Sequence, residues 1–275
     1  GIRDSECLVG SEMCIRDRRL ITMQISSNIA GCPLLTFDTL PSTNTYLKEH
    51  ADELPDRTVV TADLQSCGKG RIGNTWLATR DMLPVSMLIK APDNAHDLTV
   101  ICAVAVCRAI ERLSGIKAGI KWTNDIICSE RKVCGILCES TLKSSCDGAI
   151  YNNVICGMGL NVNQDADFFE KSGLVNAASL YTLTGNKYDK MLAAEYIVDE
   201  LTRLIDEDFS TVINEYSQRC VTLGKTVKLV QNNTETTAFA KAIAPDGCLI
   251  CENENGEFTV NSGLVRVRGV GGEYV

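Results

Sequence analysis

The sequence predicts an α+β fold, a β-sheet flanked by helices followed by a small β-barrel. Three observations point there. Apolar strand-like runs alternate with helical patterns between Leu35 and Arg219, the composition changes near Gly224, and five short strand candidates then follow at close spacing. With 275 residues and 45% hydrophobic content, the chain can bury one sizeable core and a small second unit.

Residues 1–22 carry no hydrophobic period and repeat the triplet Ile-Arg-Asp, at Ile2–Asp4 and Ile15–Asp17. They are expected to be a leader foreign to the fold, which would start at Met23. Leu35-Thr36-Phe37 reads as a short strand and Leu40-Pro41 as a turn. Ser42 should cap a helix running through Tyr46 and Leu47 toward Glu49. Thr58–Leu64 reads as a strand that delivers the chain into a glycine-rich loop, Gln65–Trp76, and Leu83–Lys90 as a second strand that could pair with it. Asp97 should cap an apolar helix through Ile101, Ala105 and Ile110 to Leu113, ended by Gly115 and buried against the sheet.

Ile120–Ile127 reads as an apolar strand broken by Lys121, Asn124 and Asp125, and charge inside such a pattern is costly unless paired or at a site. With Lys132–Glu139 it should form a hairpin turning at Ser129-Glu130-Arg131. Ala149–Cys156 reads as a strand ending at Gly157 and Gly159, which suit either close approach of another group or a bulge. Helical stretches follow from Asp189 to about Phe209 and over Val212–Arg219. The strand candidates of the C-terminal unit are Thr226–Val230, Ala238–Ile243, Cys248–Glu252, Glu257–Val260 and Leu264–Arg268.

Composition narrows the chemistry. The formal net charge of −8 disfavours non-specific nucleic-acid binding, which rests on surplus Lys and Arg. No run of ~18 apolar residues predicts a membrane span, and no secretory signal stands out. The 14 cysteines then read as reduced, buried small hydrophobes of a cytoplasmic protein. With two histidines, chemistry built on a histidine base or a histidine-rich metal site is disfavoured.

The loop QSCGKGRIGNTW sets Gly68, Gly70 and Gly73 around Lys69 and Arg71. Such a loop either cradles an oxyanion with backbone N–H groups and two cations, or is a surface hairpin with solvated charges. Its G-x-G-x-x-G spacing is not a dinucleotide fingerprint, because Asn74-Thr75-Trp76 follows where a helix would have to open.

Taken together, these stretches resemble the biotin protein ligases. The resemblance rests on Ser42-Thr43-Asn44, Gln65, GKGRIG at Gly68–Gly73, Trp76, KWTND at Lys121–Asp125, KVCGILCE at Lys132–Glu139, GMGLNVN at Gly157–Asn163 and SGLVRVR at Ser262–Arg268. Lys69 stands where that family usually has Arg, and Thr123 where it usually has Pro. The resemblance implies a class II synthetase-like catalytic domain with a mixed sheet over residues 23–222, and an SH3-like barrel over 223–275. It implies the monofunctional form, without a DNA-binding domain.

It also implies the reaction. Biotin and MgATP would give biotinyl-5′-AMP and pyrophosphate, and a lysine of an acceptor, such as the biotin carboxyl carrier domain of acetyl-CoA carboxylase, would attack the mixed anhydride. A carboxylate is already ionised at neutral pH, so the first step needs cations rather than a base. By resemblance Arg71, Lys132 and Lys121 are the catalytic cations. Biotin would be held by Ser42, Thr43, Asn44, Gln65, Gly68, Lys69, Gly70, Arg71, Lys132, Gly135, Gly157 and Gly159. ATP would be held by Lys69, Arg71, Trp76, Lys121, Asn124, Asp125, Asn161 and Arg268, with Asp125 toward Mg²⁺. Neither nucleic acid nor membrane is an expected partner, and an exposed sheet edge leaves room for a homodimer. The alternatives are a lipoate protein ligase and a catalytically weak biotin-binding protein.

Overall fold

The computed structural model describes residues 27–92, 95–145, 148–231, 234–261, 266–270 and 274. The expected leader therefore lies outside the described residues, as do Met23 and the beginning of the last predicted strand.

β1 (Ser27–Ile29) and β2 (Cys32–Leu40) open the sheet, and α1 (Thr43–His50) carries the chain to β3 (Val59–Gln65). β2 and β3 are parallel, so a crossover is obligatory, and α1 is that crossover. Ser42 caps α1 as expected, its hydroxyl accepting from Thr45 N. β4 (Met82–Lys90) pairs antiparallel with β3. α2 (Asp97–Ser114) follows and ends on the left-handed Gly115. Asp97 is not its cap: it is the first helical residue, behind a helical His96 whose side chain caps nothing, and its charge instead suits the helix N-terminal dipole.

Ile120–Ile127 is not one strand but two, β5 (Gly119–Lys121) and β6 (Asp125–Cys128), turned at Trp122–Asn124. The turn is held from outside the sheet. Tyr216 Oη donates to the Thr123 carbonyl at 2.9 Å, and Trp122 N donates to Thr222 Oγ1 at 3.0 Å. β6 turns through Ser129 and Glu130, both at positive φ, into β7 (Arg131–Ser145), which pairs with β8 (Gly148–Asn161). Gly157 and Gly159 thus lie inside β8 and not at its end, because pairing with β4 and β7 continues past both.

α3 (Ala166–Lys171) and α4 (Leu180–Thr184) are short helices that the sequence reading leaves unassigned, and α5 (Lys190–Ile205) and α6 (Phe209–Arg219) complete the first unit. The strand order of the eight-stranded mixed sheet is β1-β2-β3-β4-β8-β7-β6-β5. Apolar side chains of α2, α5 and α6 pack with Val85, Met87, Ile136, Cys156 and Met158 on one face, while Leu47 and Tyr46 of α1 pack with Val60, Leu88 and Ile155 on the other. This two-faced burial leaves part of the α1 face open for a site.

β9 (Thr226–Gln231), β10 (Thr234–Ile243), β11 (Leu249–Asn253), β12 (Gly256–Val260) and β13 (Arg266–Gly269) form a second, five-stranded antiparallel sheet, the small β unit expected at the C-terminal end. Trp122 Nε1 donates to the Gly247 carbonyl at 3.0 Å and ties this sheet to the β5–β6 turn. Among the described residues no helix is long and apolar enough to cross a membrane.

Candidate active site

The site is built from two rows of residues running across the sheet on the α1 face. In one row Ser86, Gly157 and Leu137 are register partners across β4, β8 and β7. In the other, two residues along each strand, Pro84, Gly159, Gly135 and Asp125 are partners across β4, β8, β7 and β6. A period of two puts both rows on one face.

Asn44 lies over the first row. A Cβ on Gly157 would stand 2.1 Å from Asn44 Oδ1, so glycine is required for the helix to approach. The Asn44 carboxamide accepts from Ser86 Oγ at 2.7 Å, and its Nδ2 donates to Leu137 O at 3.1 Å and Glu139 Oε2 at 2.9 Å. Thr43 extends the network: its hydroxyl is 2.7 Å from Ser86 Oγ, and its N and Oγ1 donate to Gln65 Oε1 at 2.8 and 3.1 Å. Buried polar groups need such partners, and fully satisfied networks fix a single geometry. Ser86 and Glu139 were not among the expected site residues. Ser86 had a signal, a hydroxyl in the otherwise apolar run MLPVSMLIK.

Trp76 lies over the second row. A Cβ on Gly159 would be 2.8 Å from its indole, and one on Gly135 would be 3.0 Å from it. The missing side chains of both glycines are accounted for by this ring. The Trp76 indole N–H is buried without a hydrogen-bond partner. At the loop's neck, Trp76 N donates to Gly68 O at 2.9 Å, and Gly70 N donates to Asn74 O at 2.7 Å. Lys69 is exposed and pairs with Thr75 across this hairpin.

The cations gather beyond Trp76. Lys132 Nζ is 2.5 Å from Asp125 Oδ1 and 5.4 Å from the Trp76 ring centroid. Arg71 Nη1 donates to Asn124 Oδ1 at 2.8 Å, and Asn124 Nδ2 donates to Ile136 O at 2.8 Å. Burial lowers the Arg71 pKa, with Asp125 opposing. Lys121 is buried, and burial brings its pKa down to about 8; Asp125 opposes this, and Lys132 and Arg268 add to it. Arg268, exposed on β13, is thus close enough for its charge to reach Lys121 although it comes from the other sheet. Asn161 makes its hydrogen bonds away from the cationic side chains. Its Nδ2 donates to Ala178 O at 3.1 Å and its Oδ1 accepts from Gln164 at 3.0 Å, which anchors the segment leading into α4.

These groups line two adjoining spaces. The central cleft, bounded by Ser42, Asn44, Gln65, Lys69, Arg71, Trp76 and Lys132, has about 60 Å³ free, below the ~300–1,000 Å³ of ordinary ligand pockets. Trp76 on its glycine floor takes up part of that space. A second cavity of about 350 Å³ shares Trp76 and Lys132 with it, and reaches Asn161, Leu174, Val175 and Tyr274. Leu77 and Val175 line this second cavity yet are exposed, an apolar edge without cover. Uncharged hydrogen-bonding groups at one end and fixed cations at the other suit a neutral polar head group joined to an anion. The described residues bring Ser42, Thr43, Asn44, Gln65, Lys69, Gly70, Arg71, Trp76, Asn124, Lys132, Gly135, Gly157 and Gly159 to one cleft. Gly68 stands at its neck, Lys121 and Asp125 beside it, and Asn161 in the second cavity.

Residues 36–161 match the model of the Biotin/lipoate A/B protein ligase family. Among curated proteins, the chain is 28% identical to the bifunctional ligase/repressor BirA of Bacillus spizizenii over 86% of this chain and 74% of that protein. It is 26% identical to the biotin–[acetyl-CoA-carboxylase] ligase of Mycobacterium tuberculosis over 76% and 79% respectively. A biotin protein ligase from Aquifex aeolicus, solved in complex with biotin and ATP, superposes with a TM-score of 0.73 at 25% identity, covering 86% of this chain and 98% of that one.

Proposed function

We propose that this chain, whose residues 36–161 form a domain of the biotin/lipoate A/B protein ligase family, is an ATP-dependent biotin protein ligase. The observation that carries this reading is the polarity of the cleft. The Thr43–Asn44–Ser86–Gln65 network lies at one end and Arg71 and Lys132 at the other, with the glycine rows between them.

The network end supplies donors and acceptors for a ureido head group, and the apolar floor suits a bicyclic ring. Lys132 and Arg71 draw the valeryl carboxylate and the α-phosphate together. The carboxylate oxygen attacks the α-phosphorus, the bond to the β-phosphate oxygen breaks, and pyrophosphate leaves. Cations and backbone N–H groups offset the repulsion between the anions and the charge that develops on phosphoryl oxygens. In the second step an acceptor lysine, as its free amine, attacks the acyl carbon and AMP leaves. The acceptor we infer is a biotin carboxyl carrier domain. The adenosine would take the second cavity, whose exposed Leu77 and Val175 suit a flat base.

The donor set bears on Mg²⁺. Asp125 is paired with Lys132 and hydrogen-bonded by Tyr274, and no cluster of three acidic side chains occurs among the described residues. These residues fit a Mg²⁺ that rides on the triphosphate and keeps its waters, and not a cage built by the protein. Bound that way, the ion would neutralise phosphate charge.

The test is biotin-dependent pyrophosphate–ATP exchange on the purified chain, with lipoate in parallel. Exchange with biotin alone supports the reading. Exchange with lipoate alone moves the chain to the sister activity, and no exchange in the folded protein sinks the adenylation reading.

A further inference from the structure

One side chain in the cationic part of the site belongs to neither the loop nor the sheet. Tyr274 comes from the C-terminal end of the chain, beyond β13. Its hydroxyl donates to Asp125 Oδ2, and Lys121 Nζ lies 3.9 Å from its ring centroid. It lines the 350 Å³ cavity together with Trp76, Lys132 and Asn161. Burial, and the Asp125 charge beside it, raise its pKa, so the phenol remains a neutral donor.

A group that a nucleotide triphosphate would need, the Lys121 ammonium, is therefore already in use, and Asp125 holds the tyrosine in place over it. A ring face over an ammonium satisfies it through cation–π attraction and hides it from other anions. An O–H donated to a carboxylate is one of the stronger hydrogen bonds. Lys132, whose charge also reaches Lys121, is itself paired with Asp125. A phosphate chain and the Tyr274 ring cannot both meet Lys121 from the same side.

We infer that Tyr274 is an internal competitor of the nucleotide, and that ATP reaches Lys121 only as the tyrosine leaves it. The inference rests on the adenylation reading for the identity of the nucleotide. It gives the chain a way to hold nucleotide affinity below what its cations alone would provide, since apparent affinity scales with the fraction of molecules whose site is open. The biotin end of the cleft does not include Tyr274, so biotin binding is predicted to be indifferent to it.

The test compares the full chain with Tyr274→Ala and Tyr274→Phe. Calorimetric titration with α,β-methylene-ATP reads nucleotide affinity without turnover, and a parallel biotin titration reads the integrity of the rest of the site. Tyr274→Ala is expected to tighten nucleotide binding by about tenfold. Tyr274→Phe, which keeps the ring over Lys121 but loses the bond to Asp125, is expected to give a smaller gain, and biotin affinity should stay within about twofold. Equal or weaker nucleotide binding in Tyr274→Ala overturns the inference, since the ring would then be a bystander or a wall of the pocket. If the full chain shows no biotin-dependent exchange yet binds the nucleotide more tightly in Tyr274→Ala, the adenylation reading fails and the competitor role stands. If none of the three proteins binds nucleotide, both fail.

Discussion

Asn44 Oδ1 lies 2.1 Å from the point where a Cβ on Gly157 would stand. A contact that short cannot be relieved by rotamer change alone, because Asn44 is held at Ser86, Leu137 and Glu139. Gly157→Ala is therefore expected to push α1 away from β8 and break that network. Calorimetry should show biotin affinity falling by at least about 100-fold, the equivalent of roughly two lost hydrogen bonds, while ATP-analogue affinity changes far less. Unchanged biotin affinity would mean the network does not form the acid's pocket.

Ser86 joins Thr43 to Asn44 through a fully buried hydroxyl. Ser86→Ala removes that link at almost constant volume and leaves Asn44 Oδ1 without its donor. The expected cost is about 1–3 kcal/mol in stability or biotin binding, seen as a lowered thermal midpoint in the free protein or a raised KM for biotin. A variant indistinguishable from the parent in both would remove Ser86 from the site.

Lys121 should set an alkaline limit on nucleotide use. Burial, reinforced by Lys132 and Arg268, brings its pKa down to about 8 against the opposing pull of Asp125. The ammonium is lost as pH rises through that value, so kcat/KM for ATP is expected to fall above about pH 8. Lys121→Arg, whose guanidinium remains charged, should displace that limb upward. The stability effect runs the other way. Because the folded pKa lies below the unfolded one, burying the charge costs stability below about pH 8, and the cost fades between there and the ordinary lysine value.

Far from the site, Arg219 binds Glu111 at 2.8 and 3.0 Å and Glu215 at 2.8 Å, while Arg108 binds Glu215 and Glu200. Burial tends to raise the Glu111 and Glu215 pKa values, but the arginine bonds outweigh it and both are lowered. Stability from these pairs is therefore present above the ordinary glutamate range and lost as pH falls through the lowered values. Glu215→Gln should cost about 1–3 kcal/mol at pH 7, between an exposed and a buried pair. The difference in thermal midpoint between variant and parent should shrink toward pH 3. A constant difference across that range would show that the loss was packing and not charge.

Local chemistry was legible in the sequence. The Ser42 cap, the Gly115 stop, the glycine-rich loop and the cations Lys69, Arg71, Lys121 and Lys132 all follow from residue types acting on their near neighbours. The tertiary structure decided what lies opposite what. Gly159 beside Gly135, Ser86 beside Gly157, and Asp125 at the end of a row are consequences of strand register, which pairs segments distant in the chain. That register shows why the glycines are glycines, since Trp76 and Asn44 fill the space above them. It also splits Ile120–Ile127 into two strands, because Tyr216 and Thr222, from α6 and the segment after it, hold the turn between them. Tyr274 had no signal at all. A single tyrosine near a chain end has no period and no motif, and only the fold brings it to Lys121 and Asp125.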